Sequence, residues 1–379
     1  MTNYLSITLL LLCTTQLTAF SAPKETEQEE QNTLENRLAK EKEIKAQFEY
    51  TFNEVADQLV TISCSSPSGR SSGSGFIASM NGKNYLFTNQ HVIMGADKII
   101  LKTATGRLLR PRRIELAAQR DIARLLLEET DGLTISASMK KGDLIAVFGN
   151  SEGGGVATEL YGKVTGVRTD TVEVSADFVS GNSGSPVLNQ NKEVIGIASY
   201  VSWKTDEDDH VVTRRFCYRL TDEKWRSVNW KKYNEKYGKL YRKNKGLIDS
   251  IYDASNTWYE NPFSRMSFED HKDLGLRNWA KEHNIMVNRI ERTMGQRISQ
   301  DELDNINRKI CDDMLDSAEA LSSSCRDRAR QMRFLAKQQE LTGFLRDSFQ
   351  QLSERMENAA TGIDAYGIKL SKNNYFYFE

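Results

Sequence analysis

A chain of 379 residues with 39% hydrophobic and 27% charged side chains is an ordinary soluble globular composition. Its length suits two domains, or one large domain with helical additions. Fifty-one basic and 52 acidic side chains leave a formal net charge of −1. That balance removes any whole-molecule argument for a nucleic-acid partner or an acidic surface, so such a signal would have to be local.

The first 21 residues carry no charged side chain and hold the apolar run Leu5 to Cys13. Ala19 and Ser21 then stand at −3 and −1 of a cleavage site. The run is too short to cross a membrane as a helix, and the segment reads as a secretory signal peptide over 1–21. Export, to a periplasm or to the medium, follows from that reading. Cleavage would leave Cys64, Cys217, Cys311 and Cys325. They allow two disulfides in three pairings, with Cys311 and Cys325 able to staple a helix junction, or buried free thiols. No Cys/His spacing suggests a metal, and no cofactor is implied.

From 22 to 59 the spacing of Leu34, Leu38, Phe48, Phe52, Val55 and Leu59 in a Glu- and Lys-rich background predicts an amphipathic helix. The texture then changes. Between Val60 and Leu220, short β-branched runs such as VTISC, SGFIAS, NYLFTN, KIILKT, IARLLL, LIAVFG, PVLN and RRFCYRL are punctuated by Gly, Asn and Ser. Strands at hairpin spacing with no clear helix between them predict an antiparallel barrel or sandwich. From 221 to 379 the texture is helical, with Tyr233, Tyr237 and Tyr241 repeating every four residues.

Chemistry concentrates in the β region. In GNSGSPVLN, Ser183 is flanked by glycines on a tight turn, which presents its hydroxyl. The same turn leaves the N–H groups of Gly181 and Ser183 free to converge on an oxyanion. A serine hydroxyl needs a base, and the chain has four histidines, His91, His210, His271 and His283. Only His91 ends an apolar run inside the β region, in YLFTNQHVI. His210 sits in an acidic loop, and the other two lie in the helical part. The base needs a carboxylate to fix its tautomer. Asp121 opens the alternating strand DIARLLL, whereas Asp97 is too close to His91 in sequence and Asp131 and Asp143 sit in turn contexts.

The segments SGSGFIAS, LFTNQHVI, RDIARLLL, GDLIAVFGNSEGGGVATELYGKVTGV and GNSGSPVLNQNKEVIGI, in that order, resemble the bacterial chymotrypsin-like serine peptidases, above all their HtrA-type and glutamyl-endopeptidase branches. The resemblance covers about 60–220. It implies two six-stranded antiparallel barrels with a His91, Asp121 and Ser183 triad in the cleft between them, and hydrolysis of protein or peptide substrates. It also implies that Ser199 helps hold the aspartate and that Tyr200 and Val201 line the substrate cleft. Val201 stands where a glycine often leaves room. Asn182 replaces the aspartate that pairs with a freshly cut N-terminus in digestive members, so that activation switch is absent. By count, Asp177 matches the pocket-floor position that selects Lys or Arg in trypsin-like members; otherwise it is a solvent-facing loop residue.

The helical part lacks the strand-rich pattern of the peptide-binding domains that follow HtrA-type barrels. Between Lys224 and Lys245, nine Lys or Arg stand against the single acid Glu235, interleaved with five Trp or Tyr rings. This stripe fits a partner, polyanion or membrane-surface contact, or an aromatic core face with a solvated basic face. No nucleic-acid partner is expected. The competing reading of the whole chain is a catalytically silent protein that keeps the barrel as a binding scaffold.

Overall fold

The computed structural model describes residues 24–67, 69–128, 130–150, 158–205, 211–260, 264–294 and 299–372. The signal-like segment, His210 and the aromatic C-terminal tail lie outside the described residues.

Helix α1, Lys24–Lys45, is shorter than its pattern predicts. The chain then turns and makes the single-turn helix α2, Phe52–Val55, where Glu54 Oε1 accepts from the Thr51 N–H at 3.0 Å. Leu38 is 54% exposed, so no apolar stripe runs the length of α1. Phe48, Phe52, Val55 and Leu59 instead enter the core from the turn, α2 and β1. Their helix-like spacing is a coincidence of three different local structures.

Among the described residues the β region builds two antiparallel sheets from thirteen strands. The second half, β7 (Leu144–Gly149), β8 (Thr158–Val167), β9 (Thr171–Val174), β10 (Pro186–Leu188), β11 (Val194–Thr205) and β12 (Val211–Tyr218), closes into a six-stranded barrel. The first half does not close. It is an open sheet of seven strands: β1 (Leu59–Ser66), β2 (Gly69–Met80), β3 (Lys83–Thr88), β4 (Lys98–Thr103), β5 (Arg113–Ala117), β6 (Ala123–Leu126) and β13 (Trp225–Ser227). Their order is β13-β5-β6-β3-β2-β1-β4. The expectation of two six-stranded barrels is therefore met once. The outer edge of β5 is already occupied, because Trp225 pairs with Ala117 and Ser227 with Glu115. At the far edge, β4 meets only its own returning chain, through Leu109 N–H to Leu101 O at 3.0 Å.

Strand β13 comes from beyond the β-rich stretch, and a buried charge helps to fasten it. The Arg124 guanidinium on β6 bonds Glu115 at 2.6 Å and stacks 4.2 Å from the Trp225 ring and 4.4 Å from Tyr85. An arginine between two aromatic faces, with its charge met by a carboxylate, ties the four neighbouring strands β13, β5, β6 and β3.

The helical part continues the core of the open sheet. It comprises α3 within the β region (Gln90–Ile93), then α4 (Trp230–Tyr233), a π turn (Asn234–Gly238), α5 (Lys239–Glu260), α6 (Leu274–Met294), α7 (Gln300–Ala336) and α8 (Gly343–Lys372). Val60, Ile62, Ile77, Leu86, Ile93 and Met94 share one buried cluster with Tyr237, Tyr241, Ile248, Phe349 and Met356. The wider π turn keeps the four-residue Tyr repeat on one face, and all three rings are buried. Several of the cations bond back to the protein: Arg242 to Met94 O at 2.7 Å, Lys239 to Asp97 at 2.8 Å, Arg226 to Leu341 O at 2.9 Å. The aromatic stripe is thus a core face. No helix among the described residues is long and apolar enough to cross a membrane.

Cys64, Cys217 and Cys325 are buried free thiols, so no staple joins Cys311 to Cys325. Burial pushes the Cys64 and Cys325 thiols up to about 11, far from a reactive thiolate at neutral pH.

His283 on α6 is 1% exposed and its Nε2–H donates to Ser264 O at 2.8 Å. Burial lowers its pKa below the ordinary value. The unfolded chain then takes a proton at about pH 6.5 that the folded chain refuses, so stability is full above that pH and falls below it. Urea midpoints are expected to be lower at pH 5.5 than at 7.5, with a smaller drop in His283→Gln, which can still donate to Ser264. An unchanged drop in that variant would assign the acid sensitivity elsewhere.

Candidate active site

His91 owes its place to β3, which ends at Thr88 and hands over to the one-turn α3. Thr88 Oγ1 donates to Ser74 O at 2.8 Å, and Asn89 caps the helix in extended conformation. Asp121 sits just before β6, which pairs with β3 from Ala123↔Thr88 onward. The pairing therefore delivers the carboxylate to the imidazole. His91 Nδ1 lies 2.5 Å from Asp121 Oδ2, and the His91 backbone N–H donates to Oδ1 at 3.0 Å. A carboxylate can only accept, so Nδ1 carries the ring proton and Nε2 is left with its lone pair. The Asp121 side chain is 10% exposed and that of His91 24%, so the pair is mostly shielded yet open on the imidazole side.

Two buried amides fix this pair, and sequence reasoning passed over both. Asn89 Nδ2 donates to Asp121 O at 2.7 Å and to Ser199 Oγ at 2.5 Å. Ser199 therefore reaches the aspartate through Asn89, not by a direct bond. Gln90 Nε2 donates to Ala117 O at 3.2 Å and Arg120 O at 2.8 Å, gripping the loop before Asp121. Its Oε1 accepts from Thr342 Oγ1 at 2.9 Å, at the entry to α8. The only local signal was two uncharged amides preceding His91 at the end of an apolar run.

Ser183 comes from the other half of the β region. Its carbonyl accepts from the Ser74 N–H at 2.9 Å, and Ser74 Oγ donates to Gly181 O at 2.9 Å, so β2 clamps both ends of the turn. Gly184 has φ +91°, and a Cβ there would lie 2.0 Å from Ser74 O. Only glycine allows that approach. Asn182 is fully buried: its Oδ1 accepts from Val179 N–H at 3.0 Å and its Nδ2 donates to Thr158 Oγ1 at 3.3 Å. The turn is thus braced from within the barrel. Gly181 has φ +94°, and neither its N–H nor that of Ser183 donates to another backbone group among the described residues. The Ser183 hydroxyl and the His91 imidazole form no hydrogen bond among the described residues.

Of the expected pocket residues, Tyr200 is 40% exposed and stacks on Phe216 at 5.0 Å. Val201 packs against the barrel core. Asp177 faces two guanidiniums: Arg37 of α1 at 2.7 Å, and Arg215 of β12, whose Nε also donates to Phe178 O at 3.0 Å. Its charge is met from inside the chain. Among the described residues no group of His, Cys, Asp and Glu could hold a metal ion.

Residues 73–197 match the family described as the trypsin-like peptidase domain. The chain is 33% identical over 171 residues to a probable periplasmic serine protease do/HhoA-like of Haemophilus influenzae, an alignment covering 41% of this chain and 36% of that protein. It is 32% identical to serine endoprotease DegS of Salmonella typhimurium, over 34% of this chain and 39% of the relative. The chain thus spans little more than a third of the length of these relatives. The crystal structure of the serine endoprotease from Yersinia pestis is 27% identical, over 44% of this chain and 60% of that one, with a TM-score of 0.36. The family match ends at Ile197, within β11, so it leaves β12, β13 and the helices that follow outside the matched segment.

Proposed function

We propose that the chain is an exported serine endopeptidase acting through His91, Asp121 and Ser183. The observation that carries this reading is the Asp121 carboxylate clasping both the backbone N–H and the Nδ1 of His91, in one peptidase domain with the glycine-braced Ser183 turn. Similarity to proteins named periplasmic serine proteases supports the activity, and with the charge-free N-terminal segment it supports export.

In the reaction, His91 Nε2 takes the proton of Ser183 Oγ as the oxygen attacks the peptide carbonyl. Asp121 keeps the proton on Nδ1 and stabilises the imidazolium that forms. The Gly181 and Ser183 N–H groups donate to the oxyanion, and the imidazolium then protonates the departing amine. Water repeats the sequence on the acyl-enzyme. Asp177, the position that matches a pocket floor, is already paired with Arg37 and Arg215, which argues against a free carboxylate selecting basic side chains.

The silent-scaffold reading draws on the missing Ser183–His91 hydrogen bond. A fluorophosphonate probe separates the two. Wild-type protein is expected to label, and labelling should vanish in Ser183→Ala and fall by about 10³-fold or more in His91→Ala. A folded wild type that does not label would leave only the scaffold.

A further inference from the structure

Three neighbouring strands of the open sheet, β1, β2 and β4, carry no acidic residue. One face of them is buried, with Ile62, Cys64 and Leu101 in the core shared with the helices. The register shows what the outward face presents. Arg70, Ser65 and Lys98 form one cross-strand row, Ser72, Ser63 and Ile100 the next, and Thr61 and Lys102 a third. The bridge from Lys102 to Leu108 adds the returning chain, with Arg110 two residues on. Residues paired across strands share a face, so these cations and aliphatics stand side by side.

Arg70, Lys98, Lys102 and Arg110 are all exposed, and among the described residues none of them pairs with an acid. The nearby acids are already met, Asp97 by Lys239 at 2.8 Å and Asp57 by Arg107 at 2.6 Å. Between the cations, Ile100 is 41% exposed and Leu108 65%. We propose that this sheet face docks the protein on an anionic lipid surface. A bilayer answers both features at once: its phosphate headgroups meet the cations, and the aliphatic side chains reach the apolar layer beneath. A soluble polyanion would meet the charges and leave Ile100 and Leu108 in water. Ser74, at the end of the Thr61 row, donates to Gly181 O at 2.9 Å, so docking brings the Ser183 turn to the border of the membrane. The inference does not depend on the peptidase reading, since a silent scaffold would dock in the same way.

The test uses the chain from Ala22 onward, the form that export would leave, so that the apolar run from Leu5 to Cys13 contributes nothing. Co-flotation is measured with vesicles of phosphatidylcholine alone and with about 30% phosphatidylglycerol added. Binding to the anionic vesicles is expected to be about 100-fold tighter or more at low salt, and to weaken as salt rises. Each cation at such a surface contributes about five-fold, so Lys98→Glu with Lys102→Glu should cut binding by about 25-fold or more. Ile100→Ser with Leu108→Ser should cut it by about ten-fold at unchanged charge. Melting temperatures close to wild type show that each variant is folded. No binding to anionic vesicles, or binding that survives the charge reversal, overturns the proposal. So does binding that the serine pair leaves unchanged, which would assign the face to a soluble polyanion or an acidic protein. A protein that labels with fluorophosphonate and ignores vesicles keeps the peptidase reading and loses this one; a protein that docks without labelling does the reverse.

Discussion

Asp121→Asn is expected to lower kcat by about 10⁴-fold while moving the melting temperature by no more than a few degrees. Asparagine has the size of aspartate, so the cavity under His91 stays filled. Its amide oxygen can still accept the His91 N–H that Asp121 Oδ1 now takes at 3.0 Å. The amide nitrogen then faces Nδ1, in the place of the carboxylate oxygen at 2.5 Å. An NH₂ donates, so Nδ1 must accept, and the ring proton moves to Nε2. An imidazole with its proton on Nε2 cannot take another from Ser183. The loss would sit in kcat with KM little changed, because no peptide contact is removed. A fall of less than about ten-fold would mean that Asp121 only packs beneath the ring. The Asn89 bond to Asp121 O at 2.7 Å involves the backbone and survives the substitution, which keeps a loop shift from mimicking the result.

What the sequence made legible was the part written locally. The runs around Ile62, Phe76, Leu86, Ile100, Leu125, Val147 and Ile197 all became strands, because β-branched and aromatic alternation between Gly and Asn breaks is a short-range signal. His91 and Asp121 were chosen from placement, and they meet because β3 pairs with β6. Strand β5 was missed: Arg113 to Ala117 is a five-residue piece whose buried Glu115 reads as polar until Arg124 is seen against it. Strand β13 was missed for a related reason. Trp225 to Ser227 is polar and brief, and it becomes a strand only because β5 offers an edge more than a hundred residues earlier. Asn89 and Gln90 look like surface amides in a sequence, and their partners Ser199 and Thr342 are 110 and 252 residues away. Long-range pairing of that kind leaves no periodic trace.

The same long-range pairing sets the second large effect. A chain ended at Leu220 keeps His91, Asp121, Ser183 and the whole family match, yet it is expected to lose cooperative folding and all probe labelling. The open sheet shares its core with the helices, so removing them strips Ile62, Ile77, Leu86, Ile93 and Met94 of Tyr237, Tyr241, Ile248 and Phe349. Each large buried side chain so exposed costs about 1.5–3 kcal/mol, and a domain of this size has only about 5–15 kcal/mol of net stability. The edge of β5 would be left bare where β13 pairs, a template for aggregation. The loop before Asp121 would lose its clamps as well: the Gly343 N–H bond to Ala118 O at 2.7 Å, and the Thr342 bond that steadies Gln90. Gly343 itself leaves no slack there, since a Cβ would come within 2.9 Å of Gln119 O. Thermal melting and fluorophosphonate labelling of the truncated chain decide the matter, with residues 221–379 supplied in trans as the complement. Labelling that returns only with the helices would mean that His91 and Asp121 are held in place by them. A truncated chain that melts cooperatively and labels on its own would mean that the two sheets suffice, and that the shared core is an appendage to a self-standing peptidase domain.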